Sequence, residues 1–155
     1  MFEEGEYADP RFVRSAFEQV KKSFTNMDHP FAQREGNQIL FHSAGVAYTI
    51  SFDEDVLQAH LPYRFVIPSA LEPYAREAMW EVNQNLKFVK CVLLRADNGD
   101  LTAQLLAAFP VAPAITVNQA RAIVQTIVGA LEMAWTIFEA KLPITFTALP
   151  EGGDL

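Results

Sequence analysis

One cysteine, three histidines and twelve basic residues in 155 put several kinds of protein out of reach. A lone thiol forms neither an intramolecular disulfide nor an all-cysteine zinc site, so nothing demands an oxidising compartment, and a cytoplasmic setting is expected. No basic head followed by an apolar run opens the chain, since Met1 to Asp9 is largely acidic, and no secretory signal is expected. The longest apolar stretches are periodic and interrupted, which reads as too polar for a membrane span. The formal net charge is −7 and lysine and arginine do not cluster. Nucleic acid and anionic membrane both need a basic patch to displace counterions, so neither is expected as a partner. The negative excess sits mainly at the ends, on Glu3, Glu4, Glu6, Asp9, Glu151 and Asp154. Between them the body is close to neutral. A chain of this length is expected to form one domain over 1–155, ordered from about 10 to 148 between flexible acidic tails.

What is present is a change of period along the chain. Asp9-Pro10 has the chemistry of a helix start, and Phe12, Val13, Ala16, Phe17, Val20 and Phe24 then recur at helical spacing to about Asn26. Alternation takes over after Pro30. It predicts three antiparallel strands near Phe31–Glu35, Gln38–Ser43 and Val46–Phe52, turned at Gly36-Asn37 and Ala44-Gly45. Val56–Ile67 is ambiguous: Leu57, Ala59 and Leu61 alternate, but Pro62 and Pro68 limit a ladder, so at most another edge strand is expected. Ser69 or Glu72, followed by Pro73, starts a second helix with an inner face of Leu71, Tyr74, Ala75, Ala78, Met79, Val82 and Leu86. Asn83-Gln84-Asn85 is expected to end it through a left-handed cap. Lys87–Ala96 and Leu101–Val111 flank Asp97-Asn98-Gly99-Asp100, a hairpin in which Asn98-Gly99 is expected to form the tight turn. Thr116 and Gln119 form a capping box before a third helix. That helix has an inner stripe of Ala120, Ile123, Val124, Ile127, Val128, Leu131, Ala134, Trp135 and Phe138. A short strand over Ile144–Ala148 is expected after it. The fold class is therefore α+β, an antiparallel sheet with helices packed on it in the order α-β-β-β-α-β-β-α.

Residues that could carry chemistry do not assemble into a motif. His29, His42 and His60 lack a second ligand at metal-binding spacing, and they read as solvated or hydrogen bonded, His42 on a strand surface and the others near turns. Cys91 stands at an alternate position of a strand and reads as a buried small hydrophobe. Ser43, Ser51 and Ser69 lack a nucleophile elbow. Asp53-Glu54-Asp55 and the Asp97–Asp100 turn lack the full calcium-loop pattern. No catalytic, cofactor-binding or metal residue is assigned. The third helix is unusual in another way: between Val117 and Ala140 its charges are Arg121, Glu132 and Glu139, and the side opposite its inner stripe includes Ala122, Gln125, Gly129, Met133 and Thr136. A solvated helix usually carries more charge, so this face and Trp80 of the second helix form the candidate interaction surface. Burial of the helix on all sides within its own fold is the competing reading.

With that order of elements, the segments Asn83-Gln84-Asn85, Lys87-Phe88-Val89-Lys90 and Asp97-Asn98-Gly99-Asp100 make the chain resemble the YbjN-type family, bacterial proteins described as sensory transduction regulators. The resemblance runs from about Pro10 to Ala140. It implies a fold like that of the type III secretion chaperones, small acidic α+β homodimers without enzymatic activity that hold segments of other proteins. The expected function is thus a non-catalytic protein-interaction or chaperone-like regulatory module. It would be homodimeric and would bind a protein segment along a sheet edge or in an apolar groove. The alternative is a small-ligand sensor or an enzyme with a pocket lined by some of the twelve phenylalanines and four tyrosines.

Overall fold

The structure, a computed structural model, describes residues 11–53, 56–63, 65–111 and 115–143, with side chains of the first helix from Ala16 onward. The expected Asp9-Pro10 cap, the inward positions Phe12 and Val13, the strand at Ile144–Ala148 and both tails lie outside what is described. The elements are α1 (Arg11–Asn26), β1 (Phe31–Arg34), β2 (Gln38–Ser43), β3 (Val46–Asp53), β4 (Val56–Pro62), α2 (Glu72–Asn85), β5 (Val89–Arg95), β6 (Leu101–Pro110) and α3 (Val117–Glu139). The strands form one six-stranded sheet in the order β1-β2-β3-β4-β6-β5. This is the α+β architecture expected, with β4 arising from the ambiguous stretch. That strand is flanked on both sides in the sheet order and is not an edge. Its proline is accommodated because the β3 ladder ends at the Thr49–His60 pair, so Pro62 lies beyond the last position where that side needs an N–H. His60 accordingly sits within the ladder and not near a turn.

Packing divides the chain into two units: residues 1–60 with 108–128, and residues 61–107 with 129–155. The first unit is built around aromatic rings. Phe24 lies 4.7 Å from Phe41 and 5.6 Å from Phe31 between ring centroids, Phe41 stacks on Tyr48 at 5.3 Å, and Phe17 meets Phe52 edge-on at 5.5 Å. These contacts follow from two periods meeting. Helix α1 turns Ala16, Phe17, Val20 and Phe24 inward, while β2 and β3 turn Ile39, Phe41, Tyr48, Ile50 and Phe52 towards them, all buried. Register places Ile39 opposite Ile50 and Phe41 opposite Tyr48, so the large side chains form cross-strand pairs on one face. Ser43 pairs with Val46, leaving a two-residue loop in which Ala44 has φ 52° and Gly45 φ 80°. Both central residues of this hairpin turn must be left-handed, which suits Gly45 and strains Ala44. Ala44→Asn is expected to raise the unfolding free energy by about 1 kcal/mol, read as a higher urea midpoint at unchanged slope; an unchanged or lower midpoint refutes the strain.

In the second unit, β5 and β6 pair from Val89–Ala107 to Arg95–Leu101. Their connection differs from the expected two-residue turn. Gly99 N–H donates to Ala96 O at 2.9 Å and Ala96 N–H to Asp100 O at 2.8 Å, and Gly99 has φ 92° while Asn98 is not left-handed. It is the three-residue form, a turn over Asp97-Asn98 closed by a left-handed glycine. Asn98 instead accepts from the Asp100 N–H at 3.0 Å. Helix α2 is preceded by a 3-10 turn, Ser69–Leu71, and its start carries no side-chain cap. Ser69 donates its backbone N–H to Asp100 Oδ1 at 3.2 Å instead of capping. The buried residues of α2 are Ala75, Ala78 and Val82, whereas Tyr74, expected inside, is 48% exposed. The small alanines let the helix lie close to the sheet, which narrows its inner face and leaves Tyr74 outside it. Tyr63 packs on Trp135 at 4.7 Å and Phe138 at 5.4 Å and donates to Glu139 Oε2 at 2.8 Å.

Helix α3 begins with the expected capping box: Gln119 N–H donates to Thr116 Oγ1 at 3.1 Å and Thr116 N–H to Gln119 Oε1 at 2.9 Å. Ala120, Val124, Ile127, Leu131, Ala134 and Phe138 are buried; Ile123, Val128 and Trp135 are half-buried flanks. Against the expectation that every stretch is too polar, α3 is long and apolar enough to cross a membrane by length and composition, with mean hydropathy 1.3. Three charges in a helix of this length leave its average high. Its buried stripe nevertheless packs inside this chain's own fold.

Candidate interaction surface

The exposed side of α3 is set by its own periodicity. With the buried stripe on one side, Ala122, Gln125, Gly129, Met133 and Thr136 emerge on the opposite side, and all five are exposed, Met133 at 56%. The helix is therefore not buried on all sides. Nothing within 4 Å would meet a Cβ added at Gly129, so this chain's own packing does not require a glycine there. On α2, Trp80 falls opposite Ala75, Ala78 and Val82 and is 57% exposed. The helical phase fixed by those three residues places it outside.

Sequence reasoning missed several further exposed side chains: Val66, Tyr74, Phe88, Leu94 and Leu106. Leu94 and Leu106 could have been found from strand parity. The β5–β6 register buries Val89, Cys91, Leu101, Ala103, Leu105 and Ala107 on one face, so Lys90, Val92, Leu94, Thr102, Gln104 and Leu106 share the other. Every large exposed hydrophobic residue among those described belongs to the second unit.

The outer edge of β5 is closed by α2. Asn83 Nδ2 donates to Cys91 O at 3.1 Å, and Cys91 N–H donates to Asn83 Oδ1 at 2.7 Å. One side-chain amide thus satisfies both main-chain groups of an edge residue, as a neighbouring strand would. This overturns the expectation that Asn83-Gln84-Asn85 supplies a left-handed cap. The helix runs to Asn85 and is followed by Leu86 in an extended conformation, φ −121°. At the other end of the edge, Glu72 bonds Arg95 at 2.7 Å and Arg76 at 2.7 Å. Arg95, then Arg76, holds the Glu72 carboxyl below the ordinary carboxylate range. A strand added along β5 would have to displace Asn83, so this edge is a poor docking site. The opposite edge, β1, is only four residues long.

Cys91 is 1% exposed, and burial pushes its thiol up to about 12; it is a packed small hydrophobe, not a nucleophile. His29 donates from Nε2 to the His42 carbonyl and meets the Phe24 ring at a tilt, 5.5 Å between centroids. His42 itself is exposed on β2. Among the described residues, no three His, Cys, Asp or Glu side chains converge as a metal site would require. A cavity of about 360 Å³ near the end of α1 is wide open and lined by Thr25, Asp28, His29, Pro30 and Phe31. Its rings are those of His29 and Phe31, and both are also in contact with Phe24.

No family model and no curated protein matches the chain. Solved structures do. YbjN of E. coli, described as a proposed transcription regulator, superposes with a TM-score of 0.60 at 18% identity, over 79% of this chain and 89% of that one. An uncharacterised protein from Methanothermobacter thermautotrophicus superposes with a TM-score of 0.57 at 10% identity, over 83% of this chain and 99% of the other. At such identities the likeness is one of fold, and it supports the YbjN-like architecture.

Proposed function

We propose that this chain is a non-catalytic regulatory module of the cytoplasm that acts by binding protein surface, associating with itself and holding a segment of another protein. The observation that carries this reading is the uneven placement of its apolar side chains. Every phenylalanine and tyrosine described in the first unit is buried or half-buried, whereas the second presents Trp80, Phe88, Leu94 and Leu106 to solvent, between 41% and 59% exposed. Exposed tryptophan and phenylalanine are frequent anchors of protein interfaces and are uncommon on surfaces that meet only water. The closed β5 edge favours recognition through side chains over strand addition. The YbjN-like fold is compatible with a regulatory role.

The test is affinity capture from extract with the wild-type chain beside Trp80→Ser and Leu94→Ser. Both residues are exposed, so the variants are expected to keep wild-type circular dichroism and melting temperature while capture of the dominant partner falls at least tenfold, as truncating an anchor does. Undiminished capture by both variants refutes the surface. A metabolite that raises the melting temperature, with no protein captured, refutes the reading itself in favour of a ligand sensor.

A further inference from the structure

We infer that the exposed face of α3 is the surface on which a second copy of the chain docks, with the two helices antiparallel. This rests on the self-association proposed above and adds its geometry. The charges of α3 supply the argument. Arg121 and Glu132 are both exposed, and neither side chain has an ion-pair partner among the described residues. Eleven residues separate them, which is three helical turns and about 20°, so they emerge on the same flank roughly 16 Å apart along the axis. In a two-fold antiparallel pair, residues on one flank meet residues of the same flank from the opposite end. With the axis level with residue 127, each Arg121 comes beside the Glu132 of the other copy, and the pairing occurs twice. A parallel pair would put this flank of the two copies on opposite sides of the seam, so that Arg121 and Glu132 would meet neither each other nor themselves.

Shape agrees with charge in this register. Gly129 faces Gln125 and Ala122 faces Met133, so a small residue meets a long one at each level, the alternation that lets two helices interdigitate. Glycine is among the poorest helix formers, yet the space a Cβ would take at Gly129 is empty within this chain. Close approach of a second helix accounts for it.

Sedimentation velocity of the full chain across the micromolar range, with R121E, E132R and the R121E/E132R double variant, decides the matter. The wild type is expected to dimerise, and each single reversal to weaken dimerisation about tenfold by juxtaposing like charges twice. The double variant, and an equimolar mixture of the two single variants, should regain wild-type affinity. Gly129→Leu, at an exposed position whose Cβ meets nothing in the chain itself, should also abolish the dimer while leaving circular dichroism unchanged. A dimer indifferent to all these changes overturns the α3 pairing and leaves self-association standing. Single variants that weaken without rescue overturn the antiparallel register. A wild type that is monomeric throughout overturns both.

Discussion

Phe24→Ala will lower the unfolding free energy by about 3–5 kcal/mol, a large share of the roughly 5–15 kcal/mol that separates a domain of this kind from its unfolded state. Phe24 is 1% exposed, and its ring touches Phe31, Phe41 and His29 at once. Removing it strips one partner from each and leaves a void between α1 and the sheet that rigid neighbours fill poorly. Phe24→Leu, which keeps most of the volume, is expected to lose only about a third as much. Urea unfolding of the three proteins tests the order. A loss below about 1 kcal/mol for the alanine variant means that Phe24 is not the centre of the first unit's core.

Asn83→Ala comes next in size, at about 2–4 kcal/mol, because it orphans two main-chain groups of a buried residue in one step. The Cys91 N–H and C=O both lose their partner, at a residue that is 1% exposed with Asn83 in place. Asn83→Asp separates the two bonds. A carboxylate still accepts from the N–H but turns an oxygen towards the Cys91 carbonyl, so this variant should be no more stable than the alanine one at neutral pH. It should recover as the pH falls and the carboxyl gains a proton to donate. Asn85→Ala is the control: Asn85 is exposed and bonds Glu81 within its own helix, and its removal should cost less than about 0.5 kcal/mol. Equal effects at positions 83 and 85 would show that the contact across the edge of β5 stabilises nothing.

The difference between those two asparagines illustrates which parts of the molecule were legible beforehand. Burial along α3 and through β2 and β3 depends on the local direction of each side chain. A period of 3.6 or 2 therefore announces it, as does the Thr116–Gln119 cap, whose partners are three residues apart. The hairpin glycines Gly45 and Gly99 were visible for the same reason. Asn83 was read as a helix stop because its partner comes under it only after the chain has turned and started a new strand. Tyr74 was misplaced because the depth of α2's inner face is set by how closely its alanines approach the sheet. Strand β4 was obscured by Pro62, whose harmlessness depends on where the β3 ladder ends. Of the candidate surface, the α3 face and Trp80 follow from helical phase. Leu94 and Leu106 follow from the same parity that buries Cys91, a step the sequence reading did not take.

The division of rings between the two units also governs how the molecule can be watched. Its two tryptophans are Trp80 and Trp135, and both belong to the second unit, one exposed on α2 and one packed against Tyr63 and Phe138. Tryptophan emission therefore reports the second unit, with a red-shifted contribution from exposed Trp80 and a blue-shifted one from Trp135 packed against its neighbours. The first unit is followed through Tyr48, stacked on Phe41, as the near-ultraviolet dichroism lost on Tyr48→Phe, because Tyr63 and Trp135 of the second unit contribute to the same band. Superposition of the two optical transitions would mean that both units melt in a single event, and separation would resolve them into two, without a label on either.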